Sequence, residues 1–365
     1  MIQPFMRHSI GSKTIAGFAL AAVLLCGLTP AHAAKPLAGG GISKVDSALS
    51  YLRSRIAPSG LMDSYSEDNV DYSYTYDNAL AALAFISAGD YASARRILDA
   101  YNSMPPEPAG GFLHRYHAET KLPEQGILYG GPNAYLLQAM NLYLLQTGDG
   151  RYNALAQRLG NFLLTLQDSD GGLFGRAGVT WKSTENNLGA LSALHNLGKV
   201  QNIPLYIERA AMIRNFLVTE CWDGVRFLQG ENDPTIVTDT QALGAIVLGF
   251  GYTNGAFWVE KKTRTTRVYS GRKKVTGFDF DTDRDMVWTE GTLQESLAFL
   301  VAGDLSRSNS YKTESEKLRQ SSGGFWQVSN PGTAGGEILQ KWQAVAPTAW
   351  YVYVANQDNV LELLA

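Results

Sequence analysis

Six short stretches of this 365-residue chain look alike and recur at nearly even intervals. Each opens polar and runs on into Ala, Gly and Leu. They are marked by Asp77 (Tyr76-Asp77-Asn78-Ala79-Leu80), Asn133 (Pro132-Asn133-Ala134), Glu185 (Thr184-Glu185-Asn186-Asn187), Asp239 (Thr238-Asp239-Thr240-Gln241), Glu290 (Trp288-Thr289-Glu290-Gly291) and Thr348 (Pro347-Thr348-Ala349-Trp350). Successive markers lie 56, 52, 54, 51 and 58 residues apart. A repeat of that length is one supersecondary unit that cannot bury its apolar side alone, so its copies must stack.

The stretches begin segments with helical spacing and few charges, as expected for helices buried on most sides. These inner helices are predicted over 75–88, 133–147, 184–198, 237–250, 288–302 and 347–356. More charged segments alternate with them and predict outer helices over 43–55, 91–103, 151–167, 204–219, 254–262 and 309–320. Strand-like alternation is read only in 263–277, as a basic hairpin. The expected fold is all-α, an (α/α)6 toroid of six helical hairpins forming one domain over residues 43–365. Several loops before the inner helices carry a glycine-plus-aromatic signature: Gly110-Gly111-Phe112, Gly171-Gly172-Leu173-Phe174, Trp222-Asp223-Gly224 with Phe227, and Gly323-Gly324-Phe325-Trp326. Long loops in a compact domain are usually functional, so these are expected to border a site.

Residues 1–33 read as a signal peptide: Arg7 and Lys13, an apolar run from Ile15 to Leu25, then Ala31-His32-Ala33 for cleavage. The run is too short for a membrane span of ~20 residues. Residues 34–42 follow as a flexible tether. The chain is therefore expected to be periplasmic or secreted, monomeric and free of the membrane after cleavage. Its formal charge is −3, and −5 without the leader, which argues against a nucleic-acid partner. Without the leader one cysteine and three histidines remain, none at metal-ligand spacing, so no metal and no cofactor is expected.

In a closed ring all inner helices run the same way, and their N-termini meet at one end with the long loops. Helix N-termini favour acidic side chains, and single acids there are commonly caps. Four at one mouth, Asp77, Glu185, Asp239 and Glu290, suggest a catalytic set instead. Cleavage of a glycosidic bond needs one carboxylic acid to protonate the leaving oxygen and one carboxylate to activate water or attack the sugar. Aromatic side chains give sugar rings a flat apolar face, and Tyr72, Tyr74, Tyr76, Tyr116, Tyr129, Trp181 and Trp288 are candidates. His114, His117, Asn133, Asn186 and Glu295 complete the expected binding set. Trp288, two residues before Glu290, is expected to supply an apolar wall that raises the pKa of Glu290.

The repeat and the motifs Tyr76-Asp77-Asn78, Thr184-Glu185-Asn186-Asn187, Thr238-Asp239-Thr240-Gln241 and Trp288-Thr289-Glu290-Gly291 resemble those of the six-hairpin glycosidase superfamily, in particular its exported bacterial members. The resemblance spans nearly all of 43–365. It implies an (α/α)6 toroid, a carbohydrate substrate and acid/base carboxylates in the central cleft: Glu290 as the acid, with Asp77 or Glu185 as base.

Other readings compete. A polysaccharide lyase would use Tyr or His as base and Arg to neutralise a uronate, and His114-Arg115-Tyr116-His117 offers those types. A non-catalytic glycan-binding protein of polysaccharide export is a third class. Asp279, Asp281, Asp283, Asp285 and Glu290 partly match a calcium loop, but Arg284 stands where that loop needs glycine. The acidic motif of terpene cyclases and the zinc ligands of protein prenyltransferases, two other toroid classes, are absent.

Overall fold

The structure, a computed structural model, describes residues 43–365. The predicted leader and the 34–42 tether lie outside the described residues. Twelve α-helices are present among the described residues. The inner six are α2 (Thr75–Ser87), α4 (Gly130–Thr147), α6 (Thr184–Val200), α8 (Thr238–Leu248), α10 (Thr289–Val301) and α12 (Val345–Asn356). Each packs on the next, and α12 packs back on α2 to close the ring. The outer six are α1 (Lys44–Ser54), α3 (Tyr91–Ser103), α5 (Asn153–Thr165), α7 (Pro204–Phe216), α9 (Asn254–Thr263) and α11 (Leu305–Ser315). Inner helices are apolar nearly all round; α8 is buried at every position. Outer helices such as α3 bury one stripe, Ala94, Ile97, Leu98 and Tyr101, and turn the rest to solvent.

Two sets of hydrogen bonds repeat around the ring. The first residue of every inner helix donates its backbone N–H, at 2.9–3.0 Å, to a carbonyl of a neighbouring loop: Thr75 to His114, Gly130 to Gly175, Thr184 to Gln229, Thr238 to Phe280, Thr289 to Gln327 and Val345 to Ser64. These are N–H groups a helix start leaves without an internal partner. The fourth residue of every inner helix accepts a loop N–H on its side chain at 2.7–3.0 Å. The pairs are Met62 to Asn78, Phe112 to Asn133, Leu173 to Asn187, Phe227 to Gln241, Phe278 to Thr292 and Phe325 to Thr348.

This second set gives the repeat its register. Asn78, Asn133, Asn187, Gln241, Thr292 and Thr348 are spaced 55, 54, 54, 51 and 56 residues apart, more evenly than the markers taken from the sequence. It also explains the Gly-plus-aromatic loops. Gly110, Gly171, Gly224 and Gly323 have φ of 97–100°. At Gly323 a side chain would press into the Ser47 carbonyl, so glycine is required there. The turn then delivers Phe112, Phe227 or Phe325 fully buried into the core. The loop signature is a structural clip, and these aromatics face no site.

Three predicted boundaries move. Helix α4 begins at Gly130 instead of 133, because close packing of Gly131 against Asn186 favours residues that look like a turn in sequence. Helix α11 begins at Leu305 instead of 309, because the Asp304 side chain accepts from Arg307 N and caps it. The 204–219 helix stops as α at Phe216. The expected basic hairpin is present, β4 (Arg264–Ser270) with β5 (Lys273–Phe278). It is not the sole strand pair. Strands β1 (Tyr72–Tyr74), β2 (Arg115–His117) and β3 (Pro123–Gln125) form one antiparallel sheet, β6 (Phe325–Trp326) pairs with β9 (Gln343–Ala344), and β7 (Gly332–Ala334) pairs with β8 (Glu337–Leu339). All are two or three residues long, too short to show alternation.

Candidate active site

The second residue of each inner helix approaches the ring axis. In order these are Tyr76, Gly131, Glu185, Asp239, Glu290 and Ala346. All except Asp239 line one cavity of about 510 Å³ at the inner-helix N-terminal end. Asp77, third in α2, lines it too. Asp77, Glu185 and Glu290 therefore stand on alternate inner helices, α2, α6 and α10, facing one space.

Glu290 is held most firmly. Its Oε1 accepts from the Tyr76 hydroxyl at 2.7 Å, the Trp350 indole N–H at 3.1 Å and the Gln294 amide at 3.3 Å. An oxygen with three donors has no room for a proton, so a protonated Glu290 carries it on Oε2. Burial pushes the Glu290 carboxyl up to about 8, aided by the charges of Asp77 and Asp239; the Tyr76 and Trp350 hydrogen bonds work against the rise. Burial likewise pushes Asp77 up to about 7, opposed by the Ser64 hydroxyl. Glu185 is raised by burial and by the like charges of Asp239 and Glu290. Asp77 and Glu290 are only 6% and 8% exposed, so water reaches them through the cavity alone.

The walls are aromatic. Tyr74, His114 and Tyr129 form an edge-to-face series at 5.1 and 5.2 Å. Burial pushes the His114 imidazole down to about 4, which leaves it neutral, and its Nδ1 has no partner. Trp288 lines the cavity beside Phe280, 5.3 Å away. Trp181 stands at the mouth, 46% exposed. A side chain at Gly175 would collide with its ring. The neighbouring Lys182 pins this loop by burying its ammonium among Asp168, Asp170 and Glu231. Asn186 completes this wall. Among the described residues no Lys or Arg lines the cavity.

Six expected residues lie elsewhere. Asn133 is the fourth-position clip of α4, spending its amide on Phe112 and Tyr129. Asp239, at the second position of α8 and 8% exposed, is not among the lining residues; its Oδ1 accepts from Thr240 N at 2.6 Å, and its charge acts on Glu185 and Glu290. Glu295 points between helices, fully buried and without a hydrogen-bond partner, because five residues past Glu290 a helix has turned by more than a quarter circle. Tyr116 alternates inward in β2 and accepts from Leu113 N. Tyr72 lies under the Arg115 guanidinium and His117 pairs with Asp71, and neither is among the lining residues.

Other lining residues had no place in the expected set: Tyr65, Tyr135, Phe280, Gln327, Glu337 and Leu339. The β7–β8 hairpin brings Glu337 and Leu339 over the site, and its Gly335-Gly336 turn was the available signal. Trp350 could have been found as a buried indole needing an acceptor. The acidic loop is accounted for in part by this hairpin: Asp283 accepts from the Thr333 hydroxyl and Asp285 from Thr333 N. Asp279, Asp283 and Asp285 carboxylates lie within 4.8 Å of one another. Glu290, the twelfth residue of the calcium-like pattern, is turned away into the cavity.

No family model matches the sequence, and no curated protein matches it. Solved structures do match. A glycosidase in complex with glucose superposes with TM-score 0.65 at 13% identity, over 86% of this chain and 95% of that one. The fold is that of the (α/α)6 glycosidases. A D-mannose isomerase matches at TM-score 0.65 and 11% identity, over 87% and 96% of the two chains. A bacterial glucoamylase complexed with acarbose gives TM-score 0.67 at 13% identity, over 88% of this chain and 56% of that one. On this glycosidase-type toroid, the carboxylates occupy the inner-helix N-terminal end.

Proposed function

We propose that the protein is a glycoside hydrolase acting on an oligo- or polysaccharide, with Glu290 as the proton donor. The observation that carries the reading is the saturation of Glu290 Oε1 by three donors, which leaves Oε2 as the oxygen for an exchangeable proton. With its carboxyl raised to about 8, Glu290 is protonated near neutral pH, as a general acid must be. Its proton passes to the glycosidic oxygen as the bond to the anomeric carbon breaks. Asp77 and Glu185 stand across the cavity; one activates water or attacks the anomeric carbon, and the other orients the sugar. Tyr74, Tyr129 and Trp181 offer ring faces for stacking. The glycosidase and glucoamylase neighbours, found with glucose and acarbose, support a carbohydrate substrate. Export of the chain follows from the leader read in residues 1–33.

A lyase is the second reading, favoured by the neutral His114 in the wall. It lacks the cation that would neutralise a uronate, since Arg115 is engaged by Glu124 and the Tyr74 hydroxyl. The test is a polysaccharide panel with two readouts. New reducing ends without ultraviolet absorbance are expected; absorbance from an unsaturated product would overturn the hydrolase in favour of the lyase. Retained glycan binding with neither signal would leave a binding protein.

A further inference from the structure

The span 261–278 holds seven Lys and Arg residues and no Asp or Glu. With a formal charge of −3 for the whole chain, the remainder carries −10. The positive charge is thus concentrated on the end of α9 and the β4–β5 hairpin. Lys261, Lys262, Arg264, Arg272, Lys273 and Lys274 are exposed. None of Arg272, Lys273 and Lys274, at and after the turn, takes part in an ion pair among the described residues.

The hairpin is joined to the cavity wall. Phe280, two residues past β5, lines the cavity. On the other side the Lys341 ammonium donates to the Tyr269 carbonyl and sits 3.7 Å over the Trp326 ring. Lys341 lies two residues past Leu339, and Trp326 immediately precedes Gln327; Leu339 and Gln327 line the cavity. A seven-residue strand spans roughly 20 Å, so the basic charges are spread along the hairpin over several sugar lengths, with both its base and its turn end tied to the segments that line the cavity. The cavity itself holds carboxyls and no cation, so it offers no partner to an anionic sugar unit.

We propose that the β4–β5 hairpin is a docking site for an acidic polysaccharide, one bearing carboxylate or phosphate substituents, and that it leads an uncharged stretch of that polymer to the cavity. The docking stands on the hairpin's own charge. Its direction toward the cavity rests on the glycan reading of that site. Attraction between exposed charges is screened over about 10 Å at 0.1 M salt, so docking is strong only at low ionic strength.

The probe is polygalacturonate, with neutral dextran beside it, in affinity electrophoresis and calorimetry on the full chain. The Glu290→Gln variant is used as well, so that binding is read without turnover. Expected is retardation by polygalacturonate and not by dextran, weakened at least tenfold between 20 and 200 mM salt, over which the screening length falls from about 20 Å to about 7 Å. The triple variant Arg272→Ser, Lys273→Ser, Lys274→Ser should lose about tenfold in affinity, roughly the loss expected from removing several surface charges. Lys261→Gln with Lys262→Gln, away from the turn, is a second variant expected to lose affinity if the triple variant is poorly folded. Unchanged binding by the variants overturns the proposal. So does tighter binding to phosphatidylglycerol vesicles or duplex DNA than to polygalacturonate. Absence of hydrolysis by the unsubstituted chain, with docking intact, would remove the hydrolase reading and leave this one standing.

Discussion

In the cavity, Asp77, Glu185 and Glu290 have lost most of their water and face no Lys or Arg; along the β4–β5 hairpin, Arg272, Lys273 and Lys274 keep theirs and meet no carboxylate. Both regions gather like charges, and burial makes them chemically different. In the cavity, the desolvation cost of ionisation moves carboxyl pKa values toward neutrality and makes them usable as acids and bases. On the hairpin, solvation leaves the cations as a long-range field that can attract a polymer but carry out no chemistry on it. Asp239 and Glu295 show a third arrangement: neither is among the lining residues, burial raises both carboxyls, and the charge of Asp239 also raises Glu185 and Glu290.

The comparison is broken most readily at Glu290. Glu290→Gln should lower kcat roughly 10³-fold, within the range for general acid catalysis, with the fold intact by circular dichroism. The hairpin triple variant should leave hydrolysis of a short neutral oligosaccharide unchanged. Equal losses in both would erase the distinction between chemistry and docking.

The pH profile sharpens it next. With Asp77 as base, activity rises as Asp77 loses its proton near about 7 and falls as Glu290 loses its own near about 8. Asp77→Asn should then abolish turnover, whereas Glu185→Gln should raise KM and keep a bell-shaped profile. Reversed behaviour would exchange the two roles.

Stability gives a smaller, opposite-signed effect. A carboxyl whose pKa is raised on folding contributes stability fully below its unfolded value, near 4.5, and loses that contribution as pH rises through about 8. Glu290→Gln should therefore raise the melting temperature at pH 8 and not at pH 4, by an amount corresponding to about 1–3 kcal/mol. A destabilised variant at pH 8 would contradict the buried-charge account.

The smallest effect separates neighbours on one helical turn. Asn187→Ala, which leaves Leu173 N unpaired, should cost about 1–2 kcal/mol by denaturant titration. It should change KM far less than Glu185→Gln, two residues away.

Much of the ring was legible in the sequence because helix hairpins are local: periodicity, charge segregation and Ala/Gly/Leu content located inner and outer helices within a few residues. The closure of α12 on α2 followed from the count of repeats. Ten of the sixteen expected site residues line the cavity, including Asp77, Glu185 and Glu290. The other six are not among the lining residues: Tyr72, Tyr116 and His117 sit on short strands, and Asn133, Asp239 and Glu295 on inner helices. Asn133 lay on the marker of its repeat, but at the fourth helical position it clips a loop, while the second position faces the axis. That offset of two residues turns a side chain about 200° around a helix, and the loop pairing that reveals it joins residues distant in sequence.

The sequence by itself determined that this chain builds a ring and gathers acids at one mouth, since repeat length and helical spacing are written residue by residue. Only the tertiary structure decided which acids share a cavity and which oxygen of Glu290 can carry a proton. It also decided that Trp350 and the β7–β8 hairpin belong to the site. Those facts depend on contacts between segments up to about 280 residues apart, such as Val345 with Ser64, and on how burial sets the cost of a charge.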